Sequence, residues 1–536
     1  MNLTGLILAA SAAVALMLLQ WLAFIRKTSV IRNSWKRLPG MPRSFFRGNL
    51  DNLAPLVAPD RHLDYGLYTI WKTLDRPKWF LVDLWPRQQP LICIADANIA
   101  EQLTRATQDA LESTPKMATP ESLKTLIGAT SVSTAQGWEW RHVRQRLNPL
   151  FRPKVVYATL PLVINHTNTF VARLLETART GVDVPLGDYL ADLATDVIGS
   201  CVVGYNMGSQ KSAEGEREKG PDGLLTILRD SVALQPHFFG SGLLAGIRRL
   251  SARRKLKDYQ RTLDARIGSI IQHDTKTGFA AKYIGSDTWT PSLFQQSIDQ
   301  FKTLILAGQD TTACALQWCF FYLWKHPAVL SELRSEHDSV LGTDLAGVSS
   351  RLRDGPQLLQ KLPYTTAVIK ETLRLRGISG TTREPAKDFC IDVDGEQVQL
   401  EAGAICYVNN FLLMKNPEYW GPDAEDFRPG RFLESEADLI SDEAGDGELH
   451  PHPKQRMRHI AYRPFERGPR NCIGQELSML EMRVVLALTV RRFNFIKQGL
   501  DGVQDEEVYD ISRVVHSPVD RMKMRFQERF GDSSKS

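Results

Sequence analysis

Cysteine is scarce in this chain: seven in 536 residues (Cys93, Cys201, Cys314, Cys319, Cys390, Cys406 and Cys472), with no Cys-x-x-Cys and no Cys/His quartet. That absence argues against a structural zinc site. An odd, sparse set also suits a reducing compartment better than an oxidising one. No Lys/Arg-rich run interleaved with aromatics occurs, and a net charge of +5 with a pI of 8.7 is too small an excess to point to nucleic acid. Internal repeats, low-complexity tracts and a Gly-x-Gly-x-x-Gly dinucleotide site are also missing. Charge is absent altogether from Leu3 to Ile25.

That uncharged stretch would make roughly 34 Å of helix at ~1.5 Å per residue, against a bilayer core of ~30 Å. Arg26, Lys27, Arg32, Lys36 and Arg37 follow at once. The expectation is a transmembrane anchor at 1–25, single-pass in the endoplasmic reticulum membrane, with everything after it cytosolic. A cleaved signal peptide would need a basic start and a shorter apolar run. Here the start is uncharged and the run continues through Trp21 and Phe24, so the anchor is preferred. Leu38-Pro39-Gly40-Met41-Pro42 then resists helix continuation. This divides the chain into the anchor, a basic and proline-rich hinge at 26–42, and a catalytic body at 43–536.

With 43% hydrophobic and 24% charged residues, the body can bury a large core. Helical periodicity predicts helices around 160–178, 222–234, 243–274, 292–326, 327–341, 361–376 and 474–491. Strand-like runs are few: Leu91 to Ile94, Phe389 to Val393, Val398 to Leu400 and Ile405 to Val408. The fold class is therefore mainly α with a small β-sheet subdomain. Residues 209–223 and 434–458 read as surface insertions. His450 and His452 have no partner ligands nearby, so a solvated loop is preferred to a metal site. The apolar run Phe238 to Leu244 is either core or a segment that dips into a membrane surface.

The chemistry concentrates near the carboxyl end. In Arg463-Pro464-Phe465-Glu466-Arg467-Gly468-Pro469-Arg470-Asn471-Cys472-Ile473-Gly474-Gln475-Glu476 a glycine- and proline-punctuated loop leads into a helix that starts near Cys472. Backbone N–H groups at that helix end, with Arg470 two residues away, would favour a thiolate. Gly468 and Gly474 permit close backbone approach to a flat partner or unusual dihedrals. A thiolate is the axial haem ligand that favours O–O cleavage.

Phe465-x-x-Gly468-x-Arg470-x-Cys472-x-Gly474 resembles the haem-binding loop of the cytochrome P450 superfamily, at every fixed position. Three further motifs occur in the family's order. Glu371-Thr372-Leu373-Arg374 puts Glu371 and Arg374 on one helix face, and the resemblance gives them a structural role with Arg431 as third partner. Gly430 stands where the family commonly has glutamate. Ala307-Gly308-Gln309-Asp310-Thr311-Thr312 lies within a long helix, where glycine and paired threonines weaken the backbone. A locally opened turn is expected there. By resemblance, Asp310 and Thr311 relay protons during oxygen activation, and Ala307 and Gly308 line the pocket. Gly137-x-x-Trp140-x-x-x-Arg144 puts Trp140 and Arg144 on one face, where the family holds a haem propionate. Arg383 and Arg470 are the second and third such contacts.

The resemblance implies haem b as cofactor, Cys472 as axial iron ligand, and a P450 fold behind one transmembrane helix. It also implies insertion of one oxygen atom from O2 into a lipophilic substrate. With no fused flavin region, electrons must come from a separate NADPH-cytochrome P450 reductase, with cytochrome b5 as a second donor, and Arg463 and Arg467 suggest a basic docking face. The tail looks like fungal microsomal members, many of which tailor secondary metabolites. Fatty-acid or alkane hydroxylation is the runner-up. A same-fold isomerase or dehydratase, which needs no reductase, is disfavoured by the intact Asp310-Thr311 pair, and a non-catalytic haem sensor is disfavoured by the whole set. In the family the pocket is lined near 115–135, 224–245, 303–312 and 377–382, which here carry apolar and small residues including Ile127, Leu304, Ile378, Ser379 and Gly380. Gly377 to Gly380 lacks the family's proline.

Overall fold

The computed structural model describes most of residues 18–530. Outside the description lie 1–14, 16–17, 57–60, 85–88, 107–113, 212–222, 239–242, 274–278, 286–288, 378–379, 387–388, 401–403, 434–439, 442–449, 500–507, 513–515 and 531–536, with the single positions 27, 31, 34, 36, 54 and 452. The central stretches of both expected insertions and most of the Phe238 to Leu244 run fall there, as do Ile378, Ser379 and His452.

The expected anchor does not stand. Among the described residues no helix is long and apolar enough to cross a membrane. Residues 18–26 are helical, but nine residues at ~1.5 Å each span about half of a bilayer core. Residues 3–14 of the proposed span lie outside the description. The transmembrane helix, the membrane as partner and the endoplasmic reticulum placement are therefore withdrawn.

The body is mainly helical, as the periodicity predicts. Its principal helices are α1 (Leu63–Thr73), α2 (Gly137–Leu147), α3 (Leu160–Thr180), α4 (Leu186–Ile198), α5 (Leu243–His273), α6 (Pro291–Lys325), α7 (Pro363–Leu375) and α8 (Gln475–Thr489). The long α6 starts where Thr290 accepts a hydrogen bond from the Leu293 N–H, with Pro291 at the first helical position. It stops at His326, before Pro327. Every residue from Thr312 to Leu323 is buried, so α6 is the central rod of the core. Helix α4 lies along it, with α3, α7 and α8 around the pair. Gly308 allows a close approach: a Cβ there would lie 2.9 Å from Cγ1 of Ile198.

The strands are β1 (Trp79–Val82), β2 (Leu91–Ile94), β3 (Thr381–Arg383), β4 (Ile405–Val408), β5 (Phe493–Lys497), β6 (Asp510–Ser512), β7 (His516–Pro518) and β8 (Lys523–Glu528). The first four form one sheet in the order β1-β2-β4-β3, with β2 and β4 parallel. β5 pairs with β8, and β6 with β7, both antiparallel. Cys390–Val393 and Glu396–Gln399 pair as a separate antiparallel hairpin, close to two of the expected strand-like runs.

Two buried carboxylates hold this frame. Glu371 and Arg374 on α7 are fully buried and bidentate, at 2.7 and 2.9 Å, and Arg431 reaches the same carboxylate through Nε at 2.9 Å. Arg374 also donates to the carbonyls of Met414, Ala424 and Asp426. One helix is thereby sewn to the irregular chain at 414–431. Gly430 has nothing within 4 Å of its Cβ position, so the departure from the family's glutamate leaves this network intact. At the other end of the sheet, Asp64 of α1 accepts from Tyr407 Oη at 3.0 Å and Asn409 Nδ2 at 3.0 Å.

Glu371→Gln leaves two buried guanidinium groups facing an uncharged partner. Unfolding free energy should fall by about 3–5 kcal/mol, read as a lowered urea midpoint followed by tryptophan fluorescence. For Asp64, burial raises the carboxyl to about 7, against the pull of the Tyr407 and Asn409 hydrogen bonds. The native carboxyl thus keeps its proton where the unfolded chain has lost it above a pKa of ~4. Stability contributed by this group falls as pH rises from about 4 to about 7 and is constant above that. Asp64→Asn removes the titration, so its urea midpoint should drop less between pH 5 and pH 8 than that of the unsubstituted protein.

Candidate active site

The loop before α8 is folded by its own backbone. Arg463 O accepts from the Glu466 N–H, Gly468 O from Asn471, and Phe465 O from Cys472 at 2.8 Å. Glu466 and Gly468 both adopt positive φ, 61° and 77°. At Gly468 only glycine fits, because a Cβ would lie 1.9 Å from the Thr104 carbonyl oxygen. That glycine serves the packing of two chain segments. At Gly474 a Cβ would meet only the Cys472 sulfur, at 3.9 Å.

Cys472 stands at the head of α8, where its sulfur accepts from the Gly474 and Gln475 N–H groups. Burial raises its thiol pKa, while those amides and the charges of Arg144 and Lys116 pull it down. The side chain is nonetheless open to solvent. A sulfur that is both desolvated by surrounding protein and reachable by water faces an internal hollow. Ala307 has the same character: it is exposed although it sits midway along the central helix. Thr312 beside it hydrogen-bonds Ser478 at 3.1 Å, one turn into α8, so the two elements meet next to this space.

Cations crowd the same space. Arg470 donates to Ala135 O and Gln136 Oε1 and packs its guanidinium 4.5 Å from the Trp140 ring. Arg383 is fully buried on β3, donates to Thr114 O, and lies 3.8 Å from Glu466. Lys116 bridges to Arg383 backbone to backbone. Burial, then the charges of Arg383 and Arg470, hold Lys116 down to about 8, against the pull of Glu466 and Cys472. Arg144 works on the loop instead. Its Nη1 and Nη2 grip Asn471 through O and Oδ1, both at 2.8 Å, which positions the residue next to the sulfur.

On α6 the expected open turn is absent, for the helix runs unbroken from Pro291 to Lys325. Thr311 donates its hydroxyl to the Ala307 carbonyl at 2.7 Å, a back-bond of the kind helical threonines make. Asp310 is half-buried beside it. Gly308 faces Ile198 of α4. Arg463 is no docking residue: it is fully buried and bonded to Glu101, Thr104 and Glu466. Arg467 is tied to Glu101 and the His459 carbonyl. Sequence reasoning missed Lys116, Gln136, Glu466 and Asn471. Glu466 and Asn471 occupy variable positions of the Cys472 loop and Gln136 precedes Gly137, whereas nothing near Lys116 marks it.

A soft sulfur ringed by amides, with three cations at the edge of an internal space, suits a flat anionic macrocycle carrying a metal cation. Fold and site thus define a haem-thiolate enzyme. The description "Cytochrome P450" matches residues 80–520, and the chain belongs to the cytochrome P450 family. It is 32% identical to cytochrome P450 monooxygenase acrF of Aspergillus aculeatus over 78% of this chain and 84% of that protein. Similarity to cytochrome P450 monooxygenase polC of Polytolypa hystricis is 28% over 88% and 84%. The crystal structure of the cytochrome P450DA heme domain shares the fold, with a TM-score of 0.72 at 18% identity, over 92% of this chain and 97% of that one. The protein is a monooxygenase of the fungal kind that uses haem b, O2, a small-molecule substrate and an electron-donating reductase.

Gly468→Ala forces a side chain into the Thr104 carbonyl at a positive φ. The strained dihedral alone costs about 1–3 kcal/mol, and the loop must move to relieve the clash. Haem content per purified chain should fall sharply. Gly474→Ala, at φ −83° and an ordinary 3.9 Å contact, should leave the urea midpoint unchanged.

Proposed function

We propose that the protein inserts one oxygen atom from O2 into a lipophilic fungal secondary metabolite, with Cys472 as the axial ligand of haem b and an NADPH-cytochrome P450 reductase as electron source. The observation that carries this is the Cys472 sulfur, desolvated yet open to an interior space and held by two helix-terminal N–H groups. Haem supplies the oxygen activation and the insertion chemistry when bound.

The chain's own residues do the rest. Gly474 and Gln475 N–H groups hold negative charge on the sulfur, and Arg144 keeps Asn471, hence the loop, in register. Arg383, Arg470 and Lys116 would hold the acidic edge of the macrocycle, with Trp140 packed against Arg470. Phe465 and Gly468 shape the loop that carries Cys472. Ala307, the small exposed residue of α6, would leave room for the macrocycle, and Gly308 brings α4 against α6. Thr311 donates to Ala307 O and so keeps an oxygen lone pair for an incoming proton donor, with Asp310 as the adjacent acid. Ile127 and Leu304, from two of the stretches that line the pocket in the family, are apolar and buried, which supports a lipophilic substrate. The catalytic body is assigned to residues 43–536.

Reduction of the haem-loaded protein under carbon monoxide tests the ligand. The unsubstituted protein should give the absorption band of a thiolate-ligated haem, and Cys472→Ser should abolish it. Retention of that band in the variant would show that another residue ligates the iron.

A further inference from the structure

Arg266, Ser269 and His273 recur on α5 at helical spacing and share one face. That face borders a cavity of about 460 Å³, which Val203, Phe279 and Phe301 also line. Sites for small organic ligands span roughly 300–1,000 Å³. Three elements besides α5 meet there. Val203 closes a π-helical turn, Gly199–Val203, that prolongs α4, and such turns often mark functional sites. Phe279 opens the short helix Phe279–Ile284, and Phe301 belongs to α6.

The cavity is apolar at its floor and open at its rim. Val203, Phe279 and Phe301 are buried, and the two phenylalanine rings meet edge to face at 6.2 Å. Ser269 and His273 are exposed. None of the described residues that line the space is acidic.

Arg266 is a permanent cation, and its Nη1 is buried with no hydrogen-bond partner among the described residues. A Cβ on Gly223 would lie 3.0 Å from that nitrogen. Gly223 precedes the helix Leu224–Ala233, which begins with no side-chain cap. A guanidinium nitrogen is thus set beside the positive end of a helix without an acceptor of its own. The acids of α5 do not supply one. Asp264 is two positions away, hence on a different face, and lies 2.7 Å from Lys302. Asp258 pairs with Arg261 at 3.2 Å.

One unsatisfied cation at one end and two aromatic rings at the other call for a molecule with a single negative charge and an apolar body. The haem site contributes none of the lining residues. Phe301 precedes Ala307 by six residues, which is roughly 9 Å along α6 and about a third of a turn round it.

We propose that this cavity is a second ligand site, which takes an organic monocarboxylate with its carboxylate on Arg266 and its apolar body against Phe279 and Phe301. The carbonyl end of α5, at His273, disfavours the reverse orientation. Ser269, one turn from Arg266 on the same face, offers a hydroxyl to the second carboxylate oxygen.

Calorimetry on the ferric holoenzyme, saturated with clotrimazole to close the haem hollow, tests this with 4-phenylbutyrate and 4-phenyl-1-butanol. The two probes share a body and differ in charge. The acid should bind more tightly than the alcohol. Arg266→Met should weaken the acid about tenfold, the equivalent of one charge-assisted hydrogen bond, and leave the alcohol within about twofold. Ser269→Phe should fill the cavity and abolish binding of both. Ser269 is exposed, so this variant keeps its fold and decides the matter if Arg266→Met does not. No acid binding to the unsubstituted protein, equal weakening of acid and alcohol in Arg266→Met, or undiminished binding in Ser269→Phe would overturn the site. If the chain proves to hold no haem, the same titrations run without the azole and read the cavity alone.

Discussion

Positive charge is gathered inside this protein around one sulfur, and much of the chain is arranged to tolerate it. Lys116, Arg144, Arg383 and Arg470 approach Cys472 from four separate segments. Desolvated cations repel one another and lose hydration. That strain is visible in Lys116, which is held down to about 8. Carbonyl oxygens of Thr114, Ala135 and Asn471 absorb part of it. So does Glu466, the residue in the left-handed conformation within the same loop. What remains is a standing positive potential at the edge of a hollow, which an anionic cofactor relieves on binding. Haem retention and local stability are in this sense one quantity.

The same device, a guanidinium in a cage of carbonyls, recurs where no chemistry is done. Arg374 serves three carbonyls and one carboxylate, and Arg431 shares that carboxylate. Such a network is weak evidence for stability, because apolar packing often does as well. Its use here is directional. The chain from 414 to 431 has little regular structure, and fixed donors of known geometry define its path where periodic backbone bonding cannot.

How far the sequence spoke depended on whether a feature was local. The long helices follow from apolar periodicity and caps, and α6 begins at Thr290-Pro291 and stops before Pro327, as those residues demand. The cysteine loop was legible because ten consecutive residues carry it. Lys116 was not, since Arg383 and Arg470 stand hundreds of positions away and nothing in its immediate neighbours marks it. Local rules also misled. Glycine and two threonines suggested an opened turn on α6, yet the helix runs unbroken from Pro291 to Lys325. Arg463 read as surface charge, but Glu101 and Thr104, more than 350 positions upstream, draw it inside. The amino-terminal anchor was inferred from charge-free length alone, and no described helix has the span it required.

Helix α6 shows why the site cannot be assigned residue by residue. Gly308 is turned to Ile198, and its missing side chain lets α4 close on the rod. Ala307, one step earlier, is turned to the hollow, and its small side chain leaves space there. Successive residues a hundred degrees apart thus serve opposite purposes, one admitting a neighbouring helix and the other keeping one out. Enlarging either residue changes the same space from opposite sides: at 307 by filling it, at 308 by levering the rod away from α4. Thr311, one turn further on, donates its hydroxyl to the Ala307 carbonyl. The width of the hollow is therefore a property of the α4–α6 contact as much as of the residues that line it.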